Sequence, residues 1–538
     1  MSRRAPSRVF IIGWDGATWD LLRPWAAAGQ LPALSRLMAQ GAWGPLRSTI
    51  QPLTAVAWSS FLTGCSPGQH GLYDFIHRVP GRYDVRLTSR AGRPVPDLWS
   101  LLSQAQKRVA AINVPMMVPV SPVNGVLVGG IDAPGLGPET VYPPEFIPEI
   151  KQHVPHYRIA ASERSPAQWA QALHEMVTGR ADLLTHLLAR ETWDCLMVVF
   201  SATDIAQHIF WRHMANGEQP YADTILHIYQ ACDRVLGHLW EQLTPDDTLL
   251  LLSDHGAGPC AGALYLNRYL EQGGFLQRRE ATGRSAHTLL QLGKRFLPAG
   301  SRAWLKRRFG PVRDRLESHL FHQAYDWSRT RLYSLGSYGH LYFNLRDREP
   351  EGIVDPAGVT ALVQEVRNYL DDLRDPHTGE KLVRHVWWRE ELYHGPVVDR
   401  APDLIIEWAN LAYEVRARFG ADGEAVFAAT MPLNDLAPET QLTGTHRMDG
   451  IIAATGRGVQ PGSITGAEII DLAPSLLHLL GRPVPRHMDG RVLPALTDQC
   501  GPVTYTADGG ETESPVNGLS AGNEAIIAER LRNMGYLG

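Results

Sequence analysis

The sequence is poor in cysteine. Its 538 residues include 5 cysteines, which are scattered along the chain and form no CxxC pair. A sparse, odd-numbered set excludes the disulfide framework of a small secreted domain and is typical of a reducing compartment. We therefore expect a cytoplasmic protein.

Long hydrophobic runs and a basic excess are also missing. No stretch approaches the roughly 20 apolar residues of a membrane span, and the first apolar run, about four residues long, is too short for a signal-peptide core. Lys and Arg total 51 against 56 Asp and Glu, for a formal net charge of −5. These absences predict no membrane span, and they give no electrostatic reason to expect a nucleic-acid partner.

Short apolar segments alternate with amphipathic ones along most of the chain. Hydrophobic residues make up 44% of the sequence and charged residues 20%, which is typical of a globular protein. The alternation predicts an α/β fold with a doubly wound, mostly parallel sheet flanked by helices. The expected parallel strands are VFIIG at Val9, RVAAINV at Arg108, CLMVVF at Cys195, TLLLLSD at Thr248 and GIIAATG at Gly450.

The pattern changes in two places and predicts three units. Residues 263–400 combine Gly and aromatic residues with a basic amphipathic segment at 292–315, and we expect an inserted cap there. Residues 8–262 and 401–496 would form the main core. Residues 497–538 begin rich in Gly, Ser and Thr and end in an amphipathic pattern, which predicts a linker and a short helix.

Acidic and histidine side chains stand at the ends of the predicted strands. Ligands of open α/β sheets gather at the carboxyl ends of strands, so we expect these side chains to meet there. Three carboxylates and three imidazoles suffice for two divalent ions, and mixed nitrogen and oxygen ligation favours Zn²⁺ or Mn²⁺ over Ca²⁺. The candidate ligands are Asp15, Asp204, His208, Asp254, His255 and His446.

Thr54 is the candidate nucleophile. It begins the helix-like segment TAVAWSSFL, just after Pro52. The free N–H groups and positive partial charge of a helix N-terminus favour both an alkoxide and an incoming phosphate. The same position also suits a threonine that only caps the helix, so the residues alone leave both roles open.

Together these motifs resemble the alkaline phosphatase superfamily, and within it the type I phosphodiesterase/nucleotide pyrophosphatase family. The resemblance extends from Val9 to about Leu493. It implies a metal-dependent hydrolase that cleaves a small phosphate ester, above all a phosphodiester or nucleotide pyrophosphate, through a phosphothreonine intermediate. The matching motifs, in chain order, are DG at Asp15, T…TG…P…HG from Thr54 to Gly71, D…H at Asp204, DHG at Asp254 and GTH at Gly444.

The resemblance also implies a role for each candidate residue. Zn²⁺ is the metal expected first, with Mn²⁺ as the alternative. Thr54 would be the nucleophile and would contact the second ion. The first ion would be held by Asp204, His208 and His446, and the second by Asp15, Asp254 and His255.

The sequence gives less information about substrate contacts than about metal ligands. Arg447 is a candidate contact for a phosphoryl oxygen, and Trp58 belongs to an apolar stretch around Thr54 that would suit the second substituent of a diester. The diesterase pattern often has an Asn where this chain has Ala57. Backbone N–H groups, another side chain, or nothing would replace that donor.

Four alternatives remain open. A phosphomonoesterase of the same superfamily would use the same ligands, and a phosphomutase would use a serine such as Ser59 or Ser60. A sulfatase would need an Arg that the CSPGQ segment at Cys65 lacks. A metal-binding protein without catalysis would require Thr54 to be idle.

Overall fold

A 10-stranded, mostly parallel sheet forms the centre of the computed structural model. The strands in its middle are mutually parallel, whereas Asp449–Gly456 and Val141–Tyr142 are antiparallel to their neighbours. The predicted α/β class with a mostly parallel sheet is confirmed. From edge to edge the strands are Gly462–Ser463, Ala42–Arg47, Asp449–Gly456, Thr248–Leu252, Val9–Trp14, Cys195–Phe200, Val109–Val114, Gly125–Gly129 and Val141–Tyr142, with Ala467–Glu468 also paired to Ala42–Arg47.

The structure describes residues 8–279, 324–417, 425–429, 440–498, 500–507 and 519–534. The basic segment predicted at 292–315 lies outside the described residues, as do residue 499 and residues 508–518 of the predicted linker. Within the described ranges, no helix is both long and apolar enough to cross a bilayer.

The central strands form where the sequence is continuously apolar. Every residue of Val9–Trp14 and of Cys195–Phe200 is buried, because helices cover both faces of the sheet. Successive side chains of a strand point to opposite faces. Phe10 and Ile12 accordingly pack into one apolar cluster, and Ile11 packs into another.

One predicted strand differs from its expected direction. The GIIAATG segment lies in Asp449–Gly456, which is antiparallel to both neighbouring strands rather than parallel. A strand buried on both faces is continuously apolar in either direction, so its composition does not reveal the direction.

Helices lie on both faces of the sheet and around the smaller units. Short 3₁₀ turns occur at Arg90–Gly92, Trp327–Arg329, Pro356–Gly358, Val398–Arg400 and Ile469–Asp471. The α-helices are Trp19–Ala27, Pro32–Gln40, Thr54–Thr63, Pro67–His70, Leu98–Gln104, Phe146–His153, Pro166–Arg190, Ala202–Asn216, Thr224–Glu241, Leu266–Gln272, Val359–Asp371, Arg389–Leu392, Leu472–Leu479, Pro494–Thr497 and Ala521–Asn533.

A smaller antiparallel sheet is built largely from the predicted cap region. Its strands share an apolar core with the helix Val359–Asp371, and Leu53 and Val56 beside Thr54 pack into the same core. Its last strand in the chain follows the predicted boundary at residue 400, so the small sheet crosses that boundary. The division into core and cap stays a prediction. The strands, in spatial order, are Leu332–Ser334, His340–Phe343, Leu404–Trp408 and Val383–Trp388.

Short strand pairings complete the fold. One of them, between Gly256–Pro259 and Gly444–Arg447, carries His446. The others join Gly262–Tyr265 to Tyr413–Arg416 and Phe427–Ala428, Ile76–Arg78 to Val85–Leu87, and Val484–Pro485 to Tyr505–Thr506.

The C-terminal helix Ala521–Asn533 packs back on the main body beside a buried carboxylate. Arg530 donates a hydrogen bond to the carbonyl of Pro134 (3.0 Å). Nearby Asp132 is buried and accepts a hydrogen bond from the Val118 N–H (3.1 Å). Burial raises the pKa of Asp132 to about 6, and the backbone hydrogen bonds and Arg530 offset only part of this rise.

We predict that Asp132 makes the folded state less stable as the pH rises. A carboxyl whose pKa is raised by folding favours the folded state fully below its unfolded pKa of about 3.9, and this contribution is lost as the pH passes the folded pKa of about 6. Asp132→Asn should therefore match the wild type near pH 4 and be more stable at pH 7, by up to about 3 kcal/mol. The midpoint of urea denaturation measures this.

The carboxylate Asp233 provides the control. Its pKa is also raised by burial, but each of its two carboxylate oxygens accepts a backbone N–H, from Ala33 (3.0 Å) and from Leu34 (2.8 Å), whereas Asp132 Oδ1 accepts none from the described residues. In Asp233→Asn the side-chain NH₂ would face one of these N–H donors, and this loss should offset the gain from removing the charge, so the variant should not be more stable at pH 7. An Asp132→Asn variant whose stability relative to the wild type is the same at pH 4 and pH 7 would contradict the prediction.

Candidate metal centre

Two neighbouring parallel strands bring three of the candidate ligands together. Val9–Trp14 and Thr248–Leu252 pair in register, with Gly13 opposite Leu252. Asp15 follows the first strand, and Asp254 and His255 follow the second. The three side chains are completely buried. The prediction that these residues share one edge of the sheet therefore agrees with where the structure places them.

The other side of the first strand supplies Asp204 and His208. They lie on the helix Ala202–Asn216, which follows the parallel strand Cys195–Phe200. Their spacing places them on one helical face, and Asp204 Oδ2 is 3.3 Å from His208 Nε2. Both side chains point inward, since Asp204 is 1% exposed and His208 is 6% exposed.

The turn after Asp15 is tied closely to this helix. Thr203 Oγ1 donates to the Asp15 carbonyl (2.7 Å), and Gln207 Nε2 donates to the Gly16 carbonyl (2.9 Å). Gly16 has φ +66°, and a Cβ there would lie 2.6 Å from Asp204 Oδ1. The Gly of the DG motif is thus required both by the backbone conformation and by the close approach of Asp204.

Two groups of side chains have the geometry of metal sites. Asp204, His208 and His446 each offer one ligand atom, and so do Asp15, Asp204 and His255; within each group the atoms lie within 4.8 Å of one another. Asp204 belongs to both groups, whereas the sequence expectation placed it in the first alone. It therefore lies where it could contact two ions.

Backbone carbonyls orient all three histidines in the same way. In each ring Nδ1 lies within hydrogen-bond distance of a carbonyl oxygen, which favours the tautomer with hydrogen on Nδ1 and a lone pair on Nε2. The Nε2 atoms of His208 and His446 are 3.0 Å apart, so two lone pairs would repel unless a cation or a proton lies between them. The carbonyls belong to Gly444 (2.8 Å from His208), Pro52 (2.7 Å from His446) and Gly256 (3.0 Å from His255).

The carboxylates also fit a cation. Asp15 Oδ1 and Asp254 Oδ2 are buried and accept no hydrogen bond from the described residues, although His255 Nε2 lies 3.7 Å and 3.4 Å from them. Burial, followed by repulsion from Asp254 and Asp204, raises the pKa of Asp15 well above its usual range, and burial raises the pKa of Asp254. A divalent cation would remove this penalty, because it supplies the missing positive charge.

The histidine Nε2 atoms and the carboxylate oxygens form a donor set that suits Zn²⁺ or Mn²⁺. Burial and the neighbouring His255 lower the pKa of His446 well below its usual value, so His446 is neutral near pH 7. Burial lowers the pKa of His208, but the adjacent Asp204 outweighs this and raises it to about 9. A metal ion would therefore displace a proton from His208 on binding at neutral pH.

Thr54 lies at the edge of this cluster. It is the first residue of its helix, is completely buried, and has its Oγ1 3.2 Å from His255 Nε2. The two serines considered as alternatives are engaged elsewhere. Ser59 Oγ donates to a carbonyl of its own helix (2.6 Å), and Ser60 Oγ lies 2.9 Å from His70 Nε2.

Trp58 does not form part of a substrate surface. It is completely buried, and its Nε1 donates to Asp15 Oδ2 (3.2 Å). Ala57 is buried too and offers no donor. The apolar stretch around Thr54 was expected to face a substrate, but it packs into the core because every face of this helix is covered. Trp58 instead orients the carboxylate of Asp15.

Arg447 points away from the metal residues. Successive residues of a strand face opposite sides, and His446 occupies the side of the cluster. The Arg447 guanidinium donates to the carbonyls of Leu411 (3.0 Å), His446 (2.8 Å) and Pro259 (2.7 Å). The expected contact between Arg447 and a phosphoryl oxygen is therefore not supported by its position.

Tyr338 is a residue of the site that the sequence did not indicate. Its ring stacks on His446, with the ring centres 5.7 Å apart. Its backbone has φ 53°, and its carbonyl accepts hydrogen bonds from Gln51 (2.5 Å) and Trp408 (2.8 Å). The sequence showed only that the segment GSYGHLYF is rich in Gly and aromatic residues and belongs to the expected cap.

A buried cation supports the strand end from which Asp204 emerges. Arg180 is completely buried and donates to the carbonyls of Val199 (3.0 Å) and Ile159 (2.7 Å). It also lies 3.3 Å from Ser201 Oγ. A lone Arg in an amphipathic helix reads as a surface residue in the sequence, so this positioning role was missed.

Comparisons with known proteins place this geometry among related folds. Phosphonoacetate hydrolase from Sinorhizobium meliloti 1021, solved with phosphonoformate, superposes with a TM-score of 0.53 at 14% identity, covering 88% of this chain and 96% of that chain. Its complex with phosphonoacetate gives a TM-score of 0.52 at 14% identity and the same coverage. At this identity the likeness shows the fold alone.

A murine ectonucleotide pyrophosphatase/phosphodiesterase 5, an inactive variant solved with AMP, has a TM-score of 0.47 at 13% identity, covering 88% of this chain and 95% of that chain. A search among curated proteins found no match. The sequence profile described as type I phosphodiesterase / nucleotide pyrophosphatase matches residues 9–449, which is most of the chain. The resemblance noted in the motifs is thereby confirmed, and the chain belongs to the type I phosphodiesterase/nucleotide pyrophosphatase family.

Proposed function

We propose that the protein is a two-metal hydrolase that cleaves phosphodiesters or nucleotide pyrophosphates through a covalent intermediate on Thr54. Membership of the family supports phosphoester hydrolysis. The observation that carries the finer proposal is the shared orientation of three buried histidines. Each is held through Nδ1 by a backbone carbonyl, which leaves Nε2 for a cation beside the carboxylates.

Two divalent ions would be held by the cluster. Asp204, His208 and His446 would hold one, and Asp15, Asp254 and His255 the other, with Asp204 close enough to contact both. Zn²⁺ is proposed first and Mn²⁺ second, because both accept mixed nitrogen and oxygen ligands. When bound, such ions supply Lewis-acid stabilisation of phosphoryl oxygens and lower the pKa of a coordinated hydroxyl.

Thr54 would attack the phosphorus. Its position as the first helical residue adds free N–H groups, which stabilise the negative charge of the phosphoryl oxygens. These N–H groups are our proposed substitute for the family Asn that Ala57 replaces. The Thr54 hydroxyl loses its proton, its oxygen bonds to phosphorus, and the bond to the leaving alcohol or phosphate breaks. Water then cleaves the Thr54 ester and restores the hydroxyl.

A diester or pyrophosphate is favoured over a monoester by the charges around the cluster. A monoester dianion needs an additional cation, and the nearest candidate, Arg447, is turned toward three carbonyls. Phosphomonoester hydrolysis and phosphomutase chemistry remain the alternatives. A sulfatase is disfavoured, because the CSPGQ segment at Cys65 lacks the required Arg and follows the TG of Thr63 and Gly64 instead of preceding it. The Cys65 thiol is also completely buried.

We predict that the purified, metal-reconstituted protein binds close to two divalent ions per chain. Asp254→Ala should lose at least one of them, because it removes a buried carboxylate oxygen that accepts no hydrogen bond in the described structure. Asp233→Asn changes a buried carboxyl on the helix Thr224–Glu241, outside the cluster, and should retain both ions. Elemental analysis after gel filtration measures the content. Full phosphodiesterase activity after exhaustive chelation would contradict the metal centre.

Replacement of Thr54 by Ala should lower turnover of a phosphodiester by at least about 10³-fold, since Thr54 Oγ1 lies beside His255 whereas the hydroxyls of Ser59 and Ser60 are engaged elsewhere. Metal content and folding should be retained, because the N-cap of this helix is Leu53 and not Thr54. Thr54→Ser should keep measurable turnover. Ser60→Ala, whose hydroxyl contacts His70, is the matched control and should stay close to the wild type. Near wild-type turnover in Thr54→Ala would refute the nucleophile.

Substrate charge gives a third test. On metal-loaded enzyme, bis-(p-nitrophenyl) phosphate should be hydrolysed with a higher kcat/KM than p-nitrophenyl phosphate, because the described site offers no side-chain cation for the second charge of the monoester. Steady-state kinetics of both esters at one pH measure the ratio. A clear preference for the monoester would instead establish the phosphomonoesterase alternative.

A further inference from the structure

A cavity lies on the opposite side of the strand Gly444–Arg447 from the metal residues. Its volume is about 510 Å³, within the range of small-molecule sites. Arg447 lines it, whereas the neighbouring His446 faces the metal cluster. None of the candidate metal ligands belongs to its walls. The cavity is therefore separate from the metal centre, although one strand borders both.

The walls carry an excess of guanidinium groups. They include two carboxylates, Asp20 and Asp449. Glu407 lies behind the wall and pairs with two of the arginines, 3.8 Å from Arg47 and 3.5 Å from Arg384. The four arginines that line the cavity are Arg23, Arg47, Arg384 and Arg447.

Two of these arginines have no carboxylate at ion-pair distance among the described residues. Arg23 is exposed and stands over the ring of Trp43, 5.8 Å from its centre. Arg447 is partly buried and donates to three carbonyls, which satisfy its N–H groups but do not neutralise its charge. An anion in the cavity would provide the missing counter-charge.

Three tryptophan rings also line the cavity. Trp19 and Trp43 lie against each other with ring centres 5.0 Å apart, and the Trp19 Nε1 donates to a backbone carbonyl. Trp408 donates its Nε1 to Tyr338, so its polar edge is satisfied as well. Trp408 is buried, whereas Trp19 and Trp43 are partly exposed, so these two indoles are the ones on which another aromatic ring can stack.

We propose that this cavity binds a small phosphorylated ligand with a flat ring, of the nucleoside monophosphate class. The guanidinium groups would contact the phosphate in the bidentate manner that suits arginine, and the indoles would contact the ring. The inference does not depend on the proposed hydrolase activity, because none of the residues involved is a candidate metal ligand or nucleophile.

The test uses AMP and the full-length protein, by isothermal titration and by quenching of tryptophan fluorescence. AMP should bind in the presence of a chelator, since this site needs no metal. Adenosine and inorganic phosphate, each carrying half of the recognised chemistry, should each bind at least ten-fold more weakly than AMP. Loss of all AMP binding on chelation would overturn the proposal and assign the binding to the metal centre.

Variants separate this site from other basic surfaces. Arg23→Gln and Arg384→Gln change exposed side chains, so folding should be unaffected, and each should raise the Kd for AMP at least ten-fold in chelator. Arg346→Gln is the matched control, because Arg346 is equally exposed but pairs with Asp355 away from the cavity. An unchanged Kd in both cavity variants, or inorganic phosphate binding as tightly as AMP, would overturn the proposal.

Discussion

Three carboxylates converge at the buried end of three parallel strands, and this concentration of negative charge is the constraint to which the surrounding structure responds. Asp15, Asp204 and Asp254 are each at most 1% exposed. Carboxylates this close and this far from water repel one another strongly. Asp204 raises the pKa of His208, which supplies one positive charge, yet the pKa values of Asp15 and Asp254 remain raised. The cluster therefore favours further positive charge, which a bound cation would supply.

Backbone groups and one indole N–H orient the candidate ligands. Carbonyls hold each imidazole through Nδ1, Trp58 and the Gly16 N–H donate to two of the carboxylates, and Gly16 leaves room for Asp204. None of these contacts uses a histidine Nε2 atom, so the Nε2 atoms stay available to a cation. Preorganisation of this kind lowers the cost of ordering ligands when a cation binds.

Features that depend on local spacing could be predicted from the sequence, and features that depend on side-chain direction could not. The pairing of Asp204 with His208 follows from helical periodicity, and the arrival of Asp15 and Asp254 at one edge follows from the rule for parallel strands. Arg447 was misjudged because proximity in sequence to His446 means opposite faces in a strand. Trp58 was misjudged because a helix buried on all sides leaves no pattern that distinguishes a core face from a ligand face.

The meeting of side chains that are far apart in sequence could not be predicted either. The arginine-lined cavity draws its side chains from four distant segments, and no motif connects them. The direction of Asp449–Gly456 was invisible because composition is the same for either orientation of a fully buried strand.

Tyr338, in the turn between two strands of the small sheet, links that sheet to a candidate metal ligand. Its ring packs on His446, while its carbonyl is held jointly by Gln51, just before the Thr54 helix, and by Trp408 in the wall of the arginine-lined cavity. A replacement of the small sheet would have to reproduce this turn, or His446 would lose one of its packing partners. Chimeras are therefore expected to tolerate exchange at the outer strands of the small sheet sooner than at the turn before His340.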